Sequence, residues 1–366
     1  MKQRDVVIVG AGLAGAATAW WLRRMGADRL LLLEQEPLAG GHASGKNAGI
    51  ARQAAEDLPT SVLCARGTAF LKSPPEGFCN HPLIQVTGGY LLVNGREDHH
   101  LLNALQRMAL AAGAEAYPVD RAAALAASPL LRGAPFTAAL HCPGDGVVDI
   151  HALLSSYLRG AEVVTGARVT GFESEGRRLR AVTTDRGTYR ADLVVNAAGA
   201  WADEVARLAG SSGAALSPKR RHLLHTGPVR DAEPGGPYLW CVAPPLYVRP
   251  ESGGYLMCPC DEEPSAPCAP PVDPEAAVWL AERLRETLPA LSGAPVARVW
   301  AELRTFSRDG GFLVGRDPQV ANLFWVAALG GHGMTASAAV GELAASLILG
   351  AVPPVEPGPF DPRRFA

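Results

Sequence analysis

The chain has 366 residues, is 48% hydrophobic, and carries a formal net charge of −2 with seven cysteines. That length allows two domains with separate cores, and the near-neutral balance gives no field for nucleic acid or an anionic membrane surface, so small ligands are expected. An odd number of cysteines without regular spacing argues for free thiols in a reducing, cytoplasmic setting, and Cys258, Cys260 and Cys268 lack the spacing of a metal site.

The first predicted element is the β-branched run Val6-Val7-Ile8-Val9, which enters Gly10, Gly12 and Gly15 and then the helix-forming run Ala16 to Met25. In such a strand–turn–helix unit the first glycine makes the turn and the second lets the backbone approach a pyrophosphate. The third lets the helix pack on the strand. Phosphates would sit at the helix N-terminus, where unpaired N–H groups and the positive dipole end face them. The next strand, Leu30 to Leu33, ends in Glu34, at the spacing where an acid accepts hydrogen bonds from a ribose diol. Charged and apolar regions of the secretory type do not precede the first strand, so no leader is expected.

The loop Pro37 to Ile50, rich in glycine and small residues, permits close approach to a flat ligand, or is a flexible surface loop. Leu83 to Val93 reads as an alternating strand pair with a turn at Gly88-Gly89. Helices follow at His99 to Ala112 and Asp120 to Ala127. From Ala161 short strands separated by Glu175-Gly176 and Arg186-Gly187 predict a β-meander, which feeds Leu193 to Asp203, a buried strand opening into a second helix. Ser217 to Thr226, Leu246 to Cys260 and Val296 to Phe306 read as long strands, and the proline-rich Asp261 to Pro274 reads as a loop and a lid. Leu323 to Ala328 is an apolar strand entering Gly330 to Thr335 and a helix from Ala336 to Leu349, a third strand, glycine loop and helix. Gly333 to Val352 contains Glu342 and small polar residues, so it reads as a buried helix and not an integral membrane segment. The proline-rich tail from Pro353 is expected on the surface or loosely ordered.

Taken together, Val6 to Gly15 with Glu34 and Gly40-Gly41, Ala43 to Ile50, Val194 to Asp203, Tyr247 to Gly254, Trp300 to Gly315 and Phe324 to Ala339 resemble, in order, the D-amino acid oxidase superfamily of FAD-dependent amine oxidoreductases. This group includes the glycine and sarcosine oxidases and the D-amino acid dehydrogenases. Pro74 to Pro82, Pro218 to Arg221 and Phe324 to Ala328 are similar to the bacterial D-arginine dehydrogenases within it. The resemblance implies an α/β fold with a Rossmann-like FAD-binding domain (1–80, 142–215 and 307–366) interleaved with an antiparallel-sheet substrate domain (81–141 and 216–306). It implies FAD held by Gly10, Gly12, Ala14, Gly15, Glu34 and Gln35, and by Gly41, His42, Ser44, Lys46, Asn47, Ala48 and Gly49. Val169, Ala198, Gly199 and Trp201 would complete the adenosine and pyrophosphate side, and Gly330, Gly331, His332, Gly333, Met334 and Thr335 the far side of the flavin.

By the same resemblance Arg304 binds the substrate carboxylate, for which a guanidinium fork is matched. Its alternative is an ordinary strand arginine paired to Glu302. Tyr247 would place its hydroxyl near that carboxylate or, alternatively, serve as a core aromatic. Arg221 borders the substrate cavity or belongs to a solvated basic run, and His332 lies over the flavin or is structural. No metal is needed. The implied reaction is oxidative deamination of an amino acid or related amine, with a quinone, protein or oxygen as electron acceptor. Alternatives are a sarcosine- or glycine-oxidase-like enzyme for N-alkyl amino acids and a flavin-holding subunit or assembly factor of a larger complex. Tyr255-Leu256-Met257 and the rest of the strand after Tyr247 lack the lysine that assists oxygen in the sarcosine oxidases, which favours a dehydrogenase. Where the arginine-specific relatives carry an acid, a histidine and a lid tyrosine, this chain has Gly89, Ile50 and Ala55. The pocket is therefore expected to lack their anionic end.

Overall fold

A computed structural model describes residues 3–230 and 232–365. Strand Gln3–Val9 pairs in parallel with Leu30–Leu33 on one side and Gly187–Asn196 on the other. The parallel core extends outward to Val163–Val164 beyond the second strand and to Leu323–Ala327 beyond the long one, with Leu313–Arg316 antiparallel at the edge. Side chains alternate across this sheet. Val6, Ile8, Leu30 and Leu32 join a core with the helices Leu13–Arg24 and Gly333–Leu349. Val7, Val9, Leu31 and Leu33 join the opposite core, with the helix Ala202–Leu208 and the meander strands Val169–Glu175 and Arg178–Thr184. Continuous apolar strands follow from burial on both faces.

The second sheet takes its strands from residues 89–142 and 217–306 and is antiparallel except where Tyr238–Ala243 runs parallel to Gly89–Val93. Its most extensive ladder joins Ser217–His225 to Arg298–Phe306 over nine residue pairs without a shift. A three-stranded sheet of Ile50–Ala51, Ile84–Gln85 and Gly146–Val148 stands apart from both.

Four expectations are corrected. Leu83 to Val93 is not a strand pair: Ile84–Gln85 pairs with Gly146–Val148, and Gly89–Val93 enters the large sheet. Leu246 to Cys260 is a hairpin, Leu246–Glu251 and Gly254–Cys258, turning through Ser252 and Gly253 at positive φ. The last helix begins at Gly333 instead of Ala336. The tail is docked: Phe360 is buried against Phe312, and Arg364 reaches both carboxylate oxygens of Asp309. Ala366 lies outside the described residues. Among the described residues, no helix is long and apolar enough to cross a membrane.

Candidate active site

The glycine turn after the first strand is closed to side chains. Gly10 has φ +102°, and a Cβ there would sit 2.4 Å from the Ala197 carbonyl oxygen. At Gly12 a Cβ would lie 2.7 Å from Ser44 Oγ, and at Gly15 it would lie 2.0 Å from the Gly10 carbonyl oxygen. Gly15 is thus a packing residue and does not line the cavity, while Gly10 and Gly12 do. Glu34 is held at the end of its strand by the Ala11 N–H, 2.9 Å from Oε2, and the Glu36 N–H, 3.0 Å from Oε1. A buried carboxylate fixed in this way has acceptor capacity left for a diol. The cradle, the acid and the helix N-terminus fit a dinucleotide.

The loop beyond the cradle is tied to the large sheet. Asn47 stiffens it from within, accepting from the Gly49 N–H and donating to the Ala43 and Ser44 carbonyls. From the sheet, Arg249 Nε donates to the Ala48 carbonyl and Trp300 Nε1 to that of Lys46. Lys46 Nζ lies 2.6 Å from Glu302 Oε1, and His42 sits between Glu302 and Glu36. The Glu302 carboxylate beside it, foremost, raises the His42 pKa above its ordinary value.

At the other end, Arg304 Nη2 donates to the Tyr247 hydroxyl at 3.1 Å. Tyr247 is buried, and burial holds its phenol well above the usual pKa, so it remains a neutral donor. The register sets Arg221 directly opposite Glu302, and Arg304 two residues further on along the same face. Arg221 is buried with its Nη2 paired to Glu262. Glu262 belongs to the proline-rich segment read as a lid, which is fastened to the Ser217–His225 strand by Asp261 on His222 and by Glu263 and Asp273 on Arg220. His332 Nε2 lies 3.2 Å from Arg52 Nη2 and 3.1 Å from Glu56 Oε2. A Cβ at Gly331 would come within 2.9 Å of Arg304 Nη1, so the bare glycine lets the guanidinium lie against this loop where a side chain would make it shift.

One cavity of about 1210 Å³ collects these groups. Glu34, Gln35, Val169, Ala198, Gly199 and Trp201 line it, as do Gly41 to Ala43, the 46–49 segment, Ala14 and Ser44. So do Gly330 to Met334, Arg221, Tyr247 and Arg304. Thr335 does not, since its hydroxyl turns to the Ile50 carbonyl at 3.3 Å. Ile50 lines the cavity, whereas Gly89 and Ala55 do not. A Cβ at Gly89 would collide with the Tyr238 ring at 2.1 Å, and Ala55 is enclosed against Ser61. Arg52, Glu56 and Trp240 also line this end and went unread in the sequence. Arg52 lies only two residues beyond the recognisable glycine-rich loop, and no local pattern marks it.

The model of the family described as DAO, FAD dependent oxidoreductase, matches residues 5–347. FAD-dependent oxidoreductase domain-containing protein 1 of Xenopus laevis is 27% identical over all of this chain and 83% of its own length. Mouse mitochondrial sarcosine dehydrogenase is 27% identical over 56% of this chain, a match spanning only 24% of that protein. Among solved structures, L-proline dehydrogenase from P. horikoshii superposes with a TM-score of 0.89 at 22% identity, covering 100% of this chain and 98% of the other. Glycine oxidase from Geobacillus kaustophilus gives 0.85 at 22%, covering 99% and 98%. The superpositions establish the fold, and the family match, spanning nearly the whole chain, establishes the cofactor as FAD: the protein belongs to the DAO family of FAD-dependent oxidoreductases.

Proposed function

We propose that the protein oxidises an amino acid or related amine at its α-carbon, giving an imine that water hydrolyses, and that it works as a dehydrogenase. The contact that carries this reading is Arg304 on Tyr247, 3.1 Å apart at the cavity wall. A guanidinium and a neutral phenol side by side offer a carboxylate three or more convergent donors, which would fix the α-carbon by its substituent. FAD, when bound, supplies the two-electron acceptor. The chain's own part is positioning: Gly331 lets Arg304 lie close, Arg221 adds positive charge on the adjacent strand, and His332 sits where it can hold a proton near the substrate nitrogen. Residues 1–80, 142–215 and 307–366 would form the cofactor domain and 81–141 with 216–306 the substrate domain.

The names of several relatives point the same way, since sarcosine dehydrogenase and glycine oxidase act on amino acids. Lack of lysine in Gly254–Cys258 supports dehydrogenase over oxidase, with a quinone or protein as electron acceptor. A flavin-holding subunit has no use for a half-buried arginine and a buried tyrosine aimed at one cavity. The likeness to D-arginine dehydrogenases is carried to the reaction and not to the substrate, since Gly89 is packed under Tyr238. The test is anaerobic bleaching of the bound flavin by a panel of D-, L- and N-methyl amino acids, then admission of air. Bleaching with slow reoxidation is expected. Failure of every amine to bleach FAD-loaded protein would overturn the proposal, and rapid reoxidation would make it an oxidase.

A further inference from the structure

Arg52 is 5% exposed, yet it lines the cavity and its Nε has no hydrogen-bond acceptor. An enclosed guanidinium N–H without a partner is costly, and such a group ordinarily marks an absent acceptor. Its surroundings do not supply one. Glu56 meets only Nη2, from a side chain 68% exposed at the rim. His332 Nε2 faces both that Nη2 and Glu56 Oε2, and a single ring nitrogen can serve only one of them. The nearby buried carboxylate, Asp145, is already engaged by the Gln53 N–H, the Gln53 amide and the Tyr238 hydroxyl.

The Arg52 guanidinium lies 4.4 Å from the centre of the Trp240 ring, and Trp240 in turn lies 4.7 Å from Tyr247, whose hydroxyl meets Arg304. The two arginines are therefore separated by one indole and one phenol along the same wall. Stacking covers a face of the Arg52 fork and leaves the in-plane Nε–H without an acceptor, beside the Nη2 that Glu56 meets, and a guanidinium edge of this kind matches a planar carboxylate.

We propose that Arg52 is a second carboxylate site and that the substrate is an amino acid or N-substituted amino acid bearing a second carboxylate, its main carboxylate on Arg304 and its aliphatic segment along Trp240. The inference rests on the amine-oxidation reading and names its substrate class.

The test is binding of redox-inert probes to the FAD-loaded protein, read by calorimetry and by perturbation of the flavin spectrum. Succinate and glutarate are compared with propionate and butyrate. A second charge-assisted contact should make the tighter dicarboxylate bind roughly 10- to 100-fold better than its monocarboxylate. In Arg52→Met that ratio should fall to about one, and Arg52→Lys, which keeps the charge without the fork, should retain only part of it. A wild-type ratio near one overturns the inference without reference to any variant, as does a ratio that survives in Arg52→Met. Bleaching by monocarboxylate amino acids together with a ratio near one would overturn this inference alone. Failure of all amines to bleach the flavin would instead strike the amine-oxidation reading, since the binding ratio is measured without turnover.

Discussion

Arg304 reaches its place because residues 302 and 304 share one face of a strand whose register never slips against Ser217–His225. Truncating it leaves the Tyr247 hydroxyl without its partner and the cavity without its main positive fork. Arg304→Ala should raise KM about 10- to 100-fold, the worth of one hydrogen-bonded charge, with bound flavin undiminished. Steady-state kinetics and the 450 nm absorbance of the purified variant check both halves, and loss of flavin would assign Arg304 a structural role instead. Glu34→Ala should do the reverse. It removes the acceptor for the Ala11 and Glu36 N–H groups, so FAD affinity should fall while reloaded enzyme keeps its KM. Arg304, Tyr247 and Glu34 were legible because each stands in a recognisable local run. Arg52 was not, because its meaning depends on Trp240 and His332, nearly two hundred and three hundred residues away in the chain.

At the scale of elements, helix Leu58–Lys72 crosses helix Gly333–Leu349 at Gly67, where a Cβ would come within 1.9 Å of the Thr335 carbonyl oxygen. Backbone cannot yield as a side chain can. Gly67→Ala should cost about 1–3 kcal/mol and push the Gly330–Thr335 loop, so thermal stability and FAD affinity should fall together. Strand and helix types were legible from periodicity, but partners were not. Leu83 to Val93 alternates like a hairpin, yet its halves join different sheets, Ile84–Gln85 pairing with Gly146–Val148 and Gly89–Val93 with Ala138–Cys142. Proline content made the tail look loose, and the buried Phe360 with the Arg364–Asp309 pair outweighs that composition. Its hydrogen bonds with Arg364 hold the Asp309 carboxyl below its usual pKa. The contribution of this pair is complete above the ordinary carboxylate pKa of about 3.9 and is lost as pH falls through the lower native value. Hydrogen exchange in residues 358–365 should therefore rise only in strong acid, and in Asp309→Asn it should already be high at neutral pH.

For the molecule as a whole, one cavity is walled by strands of both large sheets, with Val9 and Val326 from one and Arg221 and Tyr247 from the other. FAD binding should stabilise the assembly by about 2.7 kcal/mol when free cofactor exceeds its Kd 100-fold. Thermal unfolding of deflavinated protein, titrated with FAD, should show a midpoint that climbs with concentration. The class of fold was legible in the glycine turn and the spacing of apolar runs, whereas the way the second sheet reaches over the first could not be read, since its strands alternate in chain order with those of the cofactor sheet.

That reach has a consequence in the fastening of Lys46 and Ala48 by Glu302, Trp300 and Arg249. This cavity-lining loop is gripped by the very strands that carry Tyr247 and Arg304, so whatever steadies those strands should also slow escape of the cofactor. Reciprocity then requires that each ligand tighten its neighbour by the same factor. Retention of the yellow colour through dialysis, with and without a bound carboxylate, would report on the substrate end without any turnover at all.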